Sequence, residues 1–336
     1  MSVELTTSYL GLELSGPIVA GACPLTGNVE QIKALADAGA AAIVLPSLFE
    51  EQIEHDEMEL YRLSDYQAEA SAEASGFLPT ISHYNLGTRQ YVKLLQSAKA
   101  AVNVPVIASL NGCSPHGWGR YSKMLVDAGA DALEMNIYFV PTDPQITSAE
   151  VEQRYLDLVE EVRNVVSIPI AVKMGPYITA LPNFAMRLAE AGANGFVLFN
   201  RYLEPEIDID QFQVQPHLEL SVPSELRLPL RWIAILREHL SASLAATSGV
   251  HSATDVIKTL LAGADVAMMV SSLLINGSHV IHDCLEEIEA WMVEHEYESL
   301  TQMRGCMSRH NCENPSAYER ANYLKALTSF TSEYNA

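Results

Sequence analysis

The sequence predicts an α/β fold, a closed (β/α)8 barrel with long loops after its second and sixth strands, and three observations predict it. A helix–glycine–apolar-run phrase recurs along the chain, a proline-led apolar phrase recurs between its copies, and amphipathic helical stretches fit between most of the resulting strands. An open doubly wound sheet is the competing architecture.

The first phrase reads LADAGAAAIVL at 35–45, LVDAGADALEM at 125–135, LAEAGANGFVL at 188–198 and LLAGADVAMMV at 260–270. Gly39, Gly129, Gly192 and Gly263 can each end a helix with φ > 0 at no steric cost. The run that follows is too short for a helix and too uniformly apolar for a one-faced strand, so it reads as a buried parallel strand. The second phrase reads SGPIVAGA at 15–22, NVPVIASL at 103–110 and SIPIAVKM at 167–174. Its Pro17, Pro105 and Pro169 sit at strand starts, where a missing N–H is tolerated. ASLAAT at 242–247 completes eight strands, and helices are expected over 28–38, 116–128, 148–166, 179–191, 229–240 and 252–262. The connections 47–103 and 201–228 are too long for simple crossovers. Both follow strand C-termini, the face where barrel enzymes place their chemistry, and both are candidate substrate covers.

Length and composition fit one globular domain spanning 1–336, with 49% hydrophobic and 18% charged residues. The net charge of -22 repels phosphate backbones and anionic headgroups, which argues against nucleic-acid and membrane partners. An anionic ligand would need interior Lys or Arg, or backbone N–H groups. The five cysteines include no CxxC pair, so neither a disulfide framework nor a zinc site is suggested. Cys306, His310 and Cys312 offer three metal ligands without a fourth, and a surface loop is the favoured reading. The start lacks a basic, then apolar leader and no run of eighteen apolar residues occurs, so a cytoplasmic location is expected.

Within TSGVHSATDVIKTLLAGADVAMMVSSLL (247–274), Ser248 and Gly249 open a turn whose backbone can approach an anion, and the helix starting near Ser252 points N–H groups at it. This segment, with Val270 and Ser271, resembles the phosphate-binding end of FMN barrels of the dihydroorotate dehydrogenase family. GPIVAGACPLTG is similar to the family's strand-one motif, which implies Gly21, Ala22 and Cys23 against the flavin ring. ALEMNIYFVPTDP matches the strand-four segment at Asn136, IPIAVKMGPY the strand-five segment at Lys173, and FNRYL places Asn200 at the end of strand six. The resemblance implies FMN as cofactor, with Ser47 among its contacts and Asn85, Asn136 and Asn200 toward the substrate. Lys173 ends an apolar strand and must meet an anion, either reduced flavin at N1/O2 or a core carboxylate such as Glu134.

The resemblance has gaps. Family members carry a Cys or Ser base just after the strand-four asparagine, and Phe139 occupies the aligned position. A second family lysine aligns with Pro46, and only SHYNLG (82–87) answers to the asparagine-rich substrate loop. Substitute acids or bases are Tyr138, which strand alternation turns to the opposite face from Phe139, then His83 and Tyr84 on the long loop, and His116. The expected activity is hydride transfer from a small substrate to flavin N5, with dihydroorotate the family's pyrimidine substrate. A soluble electron acceptor is expected, and a homodimer is implied by soluble relatives. The alternatives are a barrel lyase or synthase using Lys173 as a Schiff base on a phosphorylated substrate, and a flavin-binding protein without catalysis.

Overall fold

The structure, a computed structural model, describes residues 3–53, 87–112, 117–201 and 203–329. Eight parallel strands close into a barrel: β1 Ile18–Ala20, β2 Ala42–Phe49, β3 Val106–Gly112, β4 Ala132–Ile137, β5 Ile170–Met174, β6 Gly195–Leu198, β7 Ser243–Ala246 and β8 Val266–Met269. β8 pairs with β1, so the open-sheet alternative does not apply. The junction glycines adopt the left-handed conformations the sequence requires, Gly192 at φ +116° and Gly263 at φ +123°.

Most side chains of the inner barrel layer are Ala or Val, with Ile107 and Met268 the larger ones. Val19, Val44, Ala132, Ala171, Val197 and Ala245 form one buried cluster, while the alternate residues Leu133, Met135 and Ile137 of β4 pack outward under the helices. That alternation fixes which residues of each strand reach the mouth.

The helices start at sequence-readable caps. Asn28 accepts from the Glu30 and Gln31 N–H groups ahead of Val29–Asp37, and Thr147 with Glu150 forms a capping box ahead of Ser148–Arg163. The expected 229–240 helix instead runs Arg227–Leu236, because the turn Pro223–Leu226 leads directly into it. β2 continues past its apolar run to Phe49 with a register shift between Val44 and Ser47. Pro46 lies in that shift, where its missing N–H interrupts the ladder.

A short hairpin, Thr7–Tyr9 with Leu12–Leu14, closes the base of the barrel and buries Tyr9, Leu10 and Leu14 against the inner cluster. Of the two long connections, residues 54–86 lie outside the described residues. The other carries an antiparallel hairpin, Pro205–Asp208 with Gln213–Pro216, whose Ile207 and Val214 are exposed. Among the described residues no helix is long and apolar enough to cross a membrane.

Candidate active site

The inner face of β4 carries the central polar groups. Counting outward from Ala132, alternation puts Glu134 and Asn136 on the barrel axis, and both are buried. Asn136 Oδ1 accepts from Asn200 Nδ2 at 2.8 Å, and the Asn200 backbone N–H donates to Met174 O, which ties the end of β6 to β5. Lys173, paired in register with Asn136, places Nζ 3.6 Å from Glu134 Oε1. The core-carboxylate partner foreseen for this lysine is therefore present. Ser109 Oγ donates to the same Glu134 oxygen at 3.3 Å and shares a 2.8 Å hydrogen bond with Ser47 Oγ. Tyr91 holds the Ser109 backbone from outside, donating to its carbonyl and accepting from its N–H, and burial pushes the Tyr91 phenol far up.

On β1 and its continuation, the Gly21 N–H donates to Met269 O. A Cβ at Gly21 would stand 2.7 Å from Val270 Cγ2, so the close approach of the Val270 side chain requires a glycine there. Ala22 is half-buried beside it. Cys23 is buried, and that burial raises its thiol, partly offset by hydrogen bonds from Thr26 and Leu25 and by the Lys173 charge. A thiol held protonated in this way packs and is not a nucleophile.

At the ends of β7 and β8, Ser248 and Gly249 are consecutive left-handed residues, and a side chain at Gly249 would collide with the Leu226 backbone. The Gly249 N–H points to Ser221 Oγ at 3.3 Å, and Ser221 Oγ donates to Ser271 Oγ at 2.9 Å, with His251 Nε2 3.4 Å from Ser221 Oγ. Val270 precedes the short helix that begins at Ser271. The Gly249 N–H and the Ser221 hydroxyl are engaged within this network, so an anion bound here takes its donors by displacing those hydrogen bonds. At the start of the helix after Ser252, the N–H groups of His251 and Ser252 donate to Asp255 Oδ2 and the Asp255 N–H to Ser252 Oγ, so the capping box takes up these three donors.

Ser221 is the site residue that the sequence reading missed. It is buried between the exposed Leu220 and Val222, so in LELSVP the polar residue is the inward one, the reverse of the usual alternation. Phe139 does not enter the mouth; its ring packs under Arg154 of the outer helix, with 4.6 Å from guanidinium carbon to ring centroid. Tyr138 continues the β4 ladder through N–H donation to Gly112 O and shares the parity of Glu134 and Asn136. His83, Tyr84, Asn85 and His116 lie outside the described residues.

A cavity of about 560 Å³ opens beside the mouth between the ends of β5 to β7 and the rim hairpin, lined by Tyr177, Phe199, Asn200, Arg201, Arg227 and Ser248 among others. Arg201 is held by Glu225 at 3.1 Å. Far from it, Cys306 accepts or donates with Tyr297 OH, Cys312 donates to Arg309 O, and His310 leans on Glu238. No group of three or more metal-ligating side chains converges among the described residues.

The family model for dihydroorotate dehydrogenase matches residues 4–292. A relative from Aeropyrum pernix, carrying the fumarate-type name dihydroorotate dehydrogenase A, is 25% identical over 317 residues, covering 91% of this chain and 98% of its own. The catalytic subunits of the NAD(+)-type dihydroorotate dehydrogenase B from Thermoplasma acidophilum and Methanothermobacter thermautotrophicus are 21% and 24% identical, each covering 91% of this chain and 99% of its own. A match over this span, on a closed barrel with its polar groups gathered at the strand C-termini, is decisive: the chain belongs to the dihydroorotate dehydrogenase family, oxidoreductases that act on CH–CH bonds with a flavin.

Proposed function

We propose that the chain is an FMN-dependent oxidoreductase acting in the cytoplasm on a small anionic or cyclic substrate with a soluble electron acceptor. The observation that carries this reading is the placement of two buried polar clusters at one barrel mouth. Ser221, Gly249 and Ser271 suit a phosphate, and Asn136, Lys173 and Asn200 suit the polar edge of a ring. The residues therefore fit FMN, with Gly21, Ala22 and Cys23 beneath the ring and Ser47, Ser248 and Val270 at its margins. FMN, when bound, supplies a hydride acceptor at N5. The chain's own residues orient the ring, offset negative charge on it through Lys173, and move the accompanying proton, for which Tyr138 is the candidate on the inner face.

The Schiff-base alternative fits less well. A nucleophilic lysine must offer a free amine, whereas Lys173 stands beside a buried carboxylate, the setting of a counter-charge. The test is Lys173→Met. FMN affinity or the rate of FMN photoreduction is expected to fall about tenfold, the size of one charge-assisted contact. Unchanged affinity and unchanged reduction would leave Lys173 with Glu134 as its sole business and remove it from the flavin site.

A further inference from the structure

Two deeply buried oxygens in the barrel have no hydrogen-bond partner among the described residues, the Tyr9 hydroxyl and Glu134 Oε2. Tyr9 is 0% exposed and Glu134 1%. The Tyr9 phenol is raised first by burial and then by the Glu134 and Asp265 charges. A carboxylate this deep needs a counter-charge. Its cation is Lys173, yet 3.6 Å is longer than a charge-assisted hydrogen bond, which runs to about 2.7–2.9 Å. The Cys23 thiol registers the ammonium's charge, and Asn136 is the strand partner of Lys173 in register.

We propose that Glu134 is the internal counter-ion of Lys173, a positioning residue that holds the ammonium loosely below the mouth and competes for it with whatever anion binds there. Naming that anion as the N1/O2 edge of FMN rests on the function proposed above; the pairing itself does not. Competition fixes the sign of the effect. Removing the Glu134 charge leaves Lys173 without its counter-ion when the mouth is empty, and gives its whole charge to the ligand when the mouth is filled. A purely packing role for Glu134 would instead weaken the ligand site.

The test compares wild type with Glu134→Gln in two states. In flavin-stripped protein, the rate of acetylation at Lys173 by acetic anhydride is followed by peptide mapping, with Lys99, paired to Asp131 at 2.6 Å, as the internal control. Glu134→Gln is expected to accelerate Lys173 at least fivefold with Lys99 unchanged, and Glu134→Asp to restore the slow rate. Ser109→Ala, which frees Glu134 Oε1 from its hydroxyl donor, is expected to slow Lys173 instead, and it serves if the glutamine variant fails to fold. In FMN-loaded protein, Glu134→Gln is expected to tighten reduced over oxidised FMN about tenfold, a midpoint shift of roughly +30 mV for two electrons. An unchanged Lys173 rate in Glu134→Gln, or a faster one in Ser109→Ala, overturns the counter-ion assignment. Acceleration in a protein that takes up no FMN upholds the pairing and removes only the flavin as its competitor.

Discussion

Dihydroorotate is expected to bleach the FMN-loaded protein ~100- to 10,000-fold more slowly than it would an enzyme with a positioned base, the usual contribution of general base catalysis. In the family reaction a proton and a hydride leave adjacent carbons, and the family resemblance puts Phe139 at the position of the base. The structure sharpens the deficit, because the ring lies under Arg154 on the outer side of β4. Hydride transfer without proton removal then faces a barrier higher by roughly 3–5 kcal/mol. Orientation also separates two repairs. A thiol at Phe139→Cys points to the outer helix and is expected to gain nothing, whereas Tyr138→Cys sets it on the face shared with Glu134 and Asn136. Anaerobic stopped-flow bleaching at 450 nm reads all three proteins. Fast bleaching by wild type would make dihydroorotate the substrate and show that another group, with Tyr138 and His83 the first to mutate, serves as the base.

Asp265→Ala is expected to cost about 3 kcal/mol of stability, read as a lower urea midpoint at unchanged m-value. Asp265 is buried at the foot of β8, where its carboxylate accepts from the Leu244 N–H at 2.7 Å, from Arg304 at 2.6 Å and from Arg237 at 3.1 Å. Alanine would strand two guanidiniums and one strand N–H. Both arginines are about a quarter exposed and can turn to water, which holds the loss to the lower end for a broken buried pair. Asp265→Asn keeps an acceptor for Leu244 and is expected to lose less. A loss under about 1 kcal/mol for alanine would show that the base hairpin and the helix ends hold this corner without the carboxylate.

The barrel was legible because its signals are local. Gly39, Gly129, Gly192 and Gly263 each needed φ > 0 at a helix-to-strand junction, and the apolar runs after them could only be buried strands. The base hairpin was not legible, since three-residue strands such as Thr7–Tyr9 are too short to show alternation. Within the site, Lys173 is legible as a charge ending an apolar strand, whereas Asn136 and Asn200 are legible only through the family resemblance. Ser221 is not legible, because its inward turn depends on contacts with Gly249 and Ser271, 28 and 50 residues away in sequence. Alternation placed Tyr138 and Phe139 on opposite faces, yet which face meets the mouth required the packing of Ala132 inside the barrel and Leu133 outside it. Asp255 takes the N–H groups of His251 and Ser252 just ahead of its helix, a local pairing that the S-x-x-D spacing at 252–255 itself carries.

The central claim, that this mouth holds FMN, is tested most directly by the absorption spectrum of the purified protein followed by identification of what heat releases. A band near 450 nm and one FMN released per chain is the expected result, with colourless preparations taking up added FMN to the same ratio. Protein that is colourless and leaves added FMN free in equilibrium dialysis would contradict the account, and would turn the Ser221, Gly249 and Ser271 cluster into a site for some other anion.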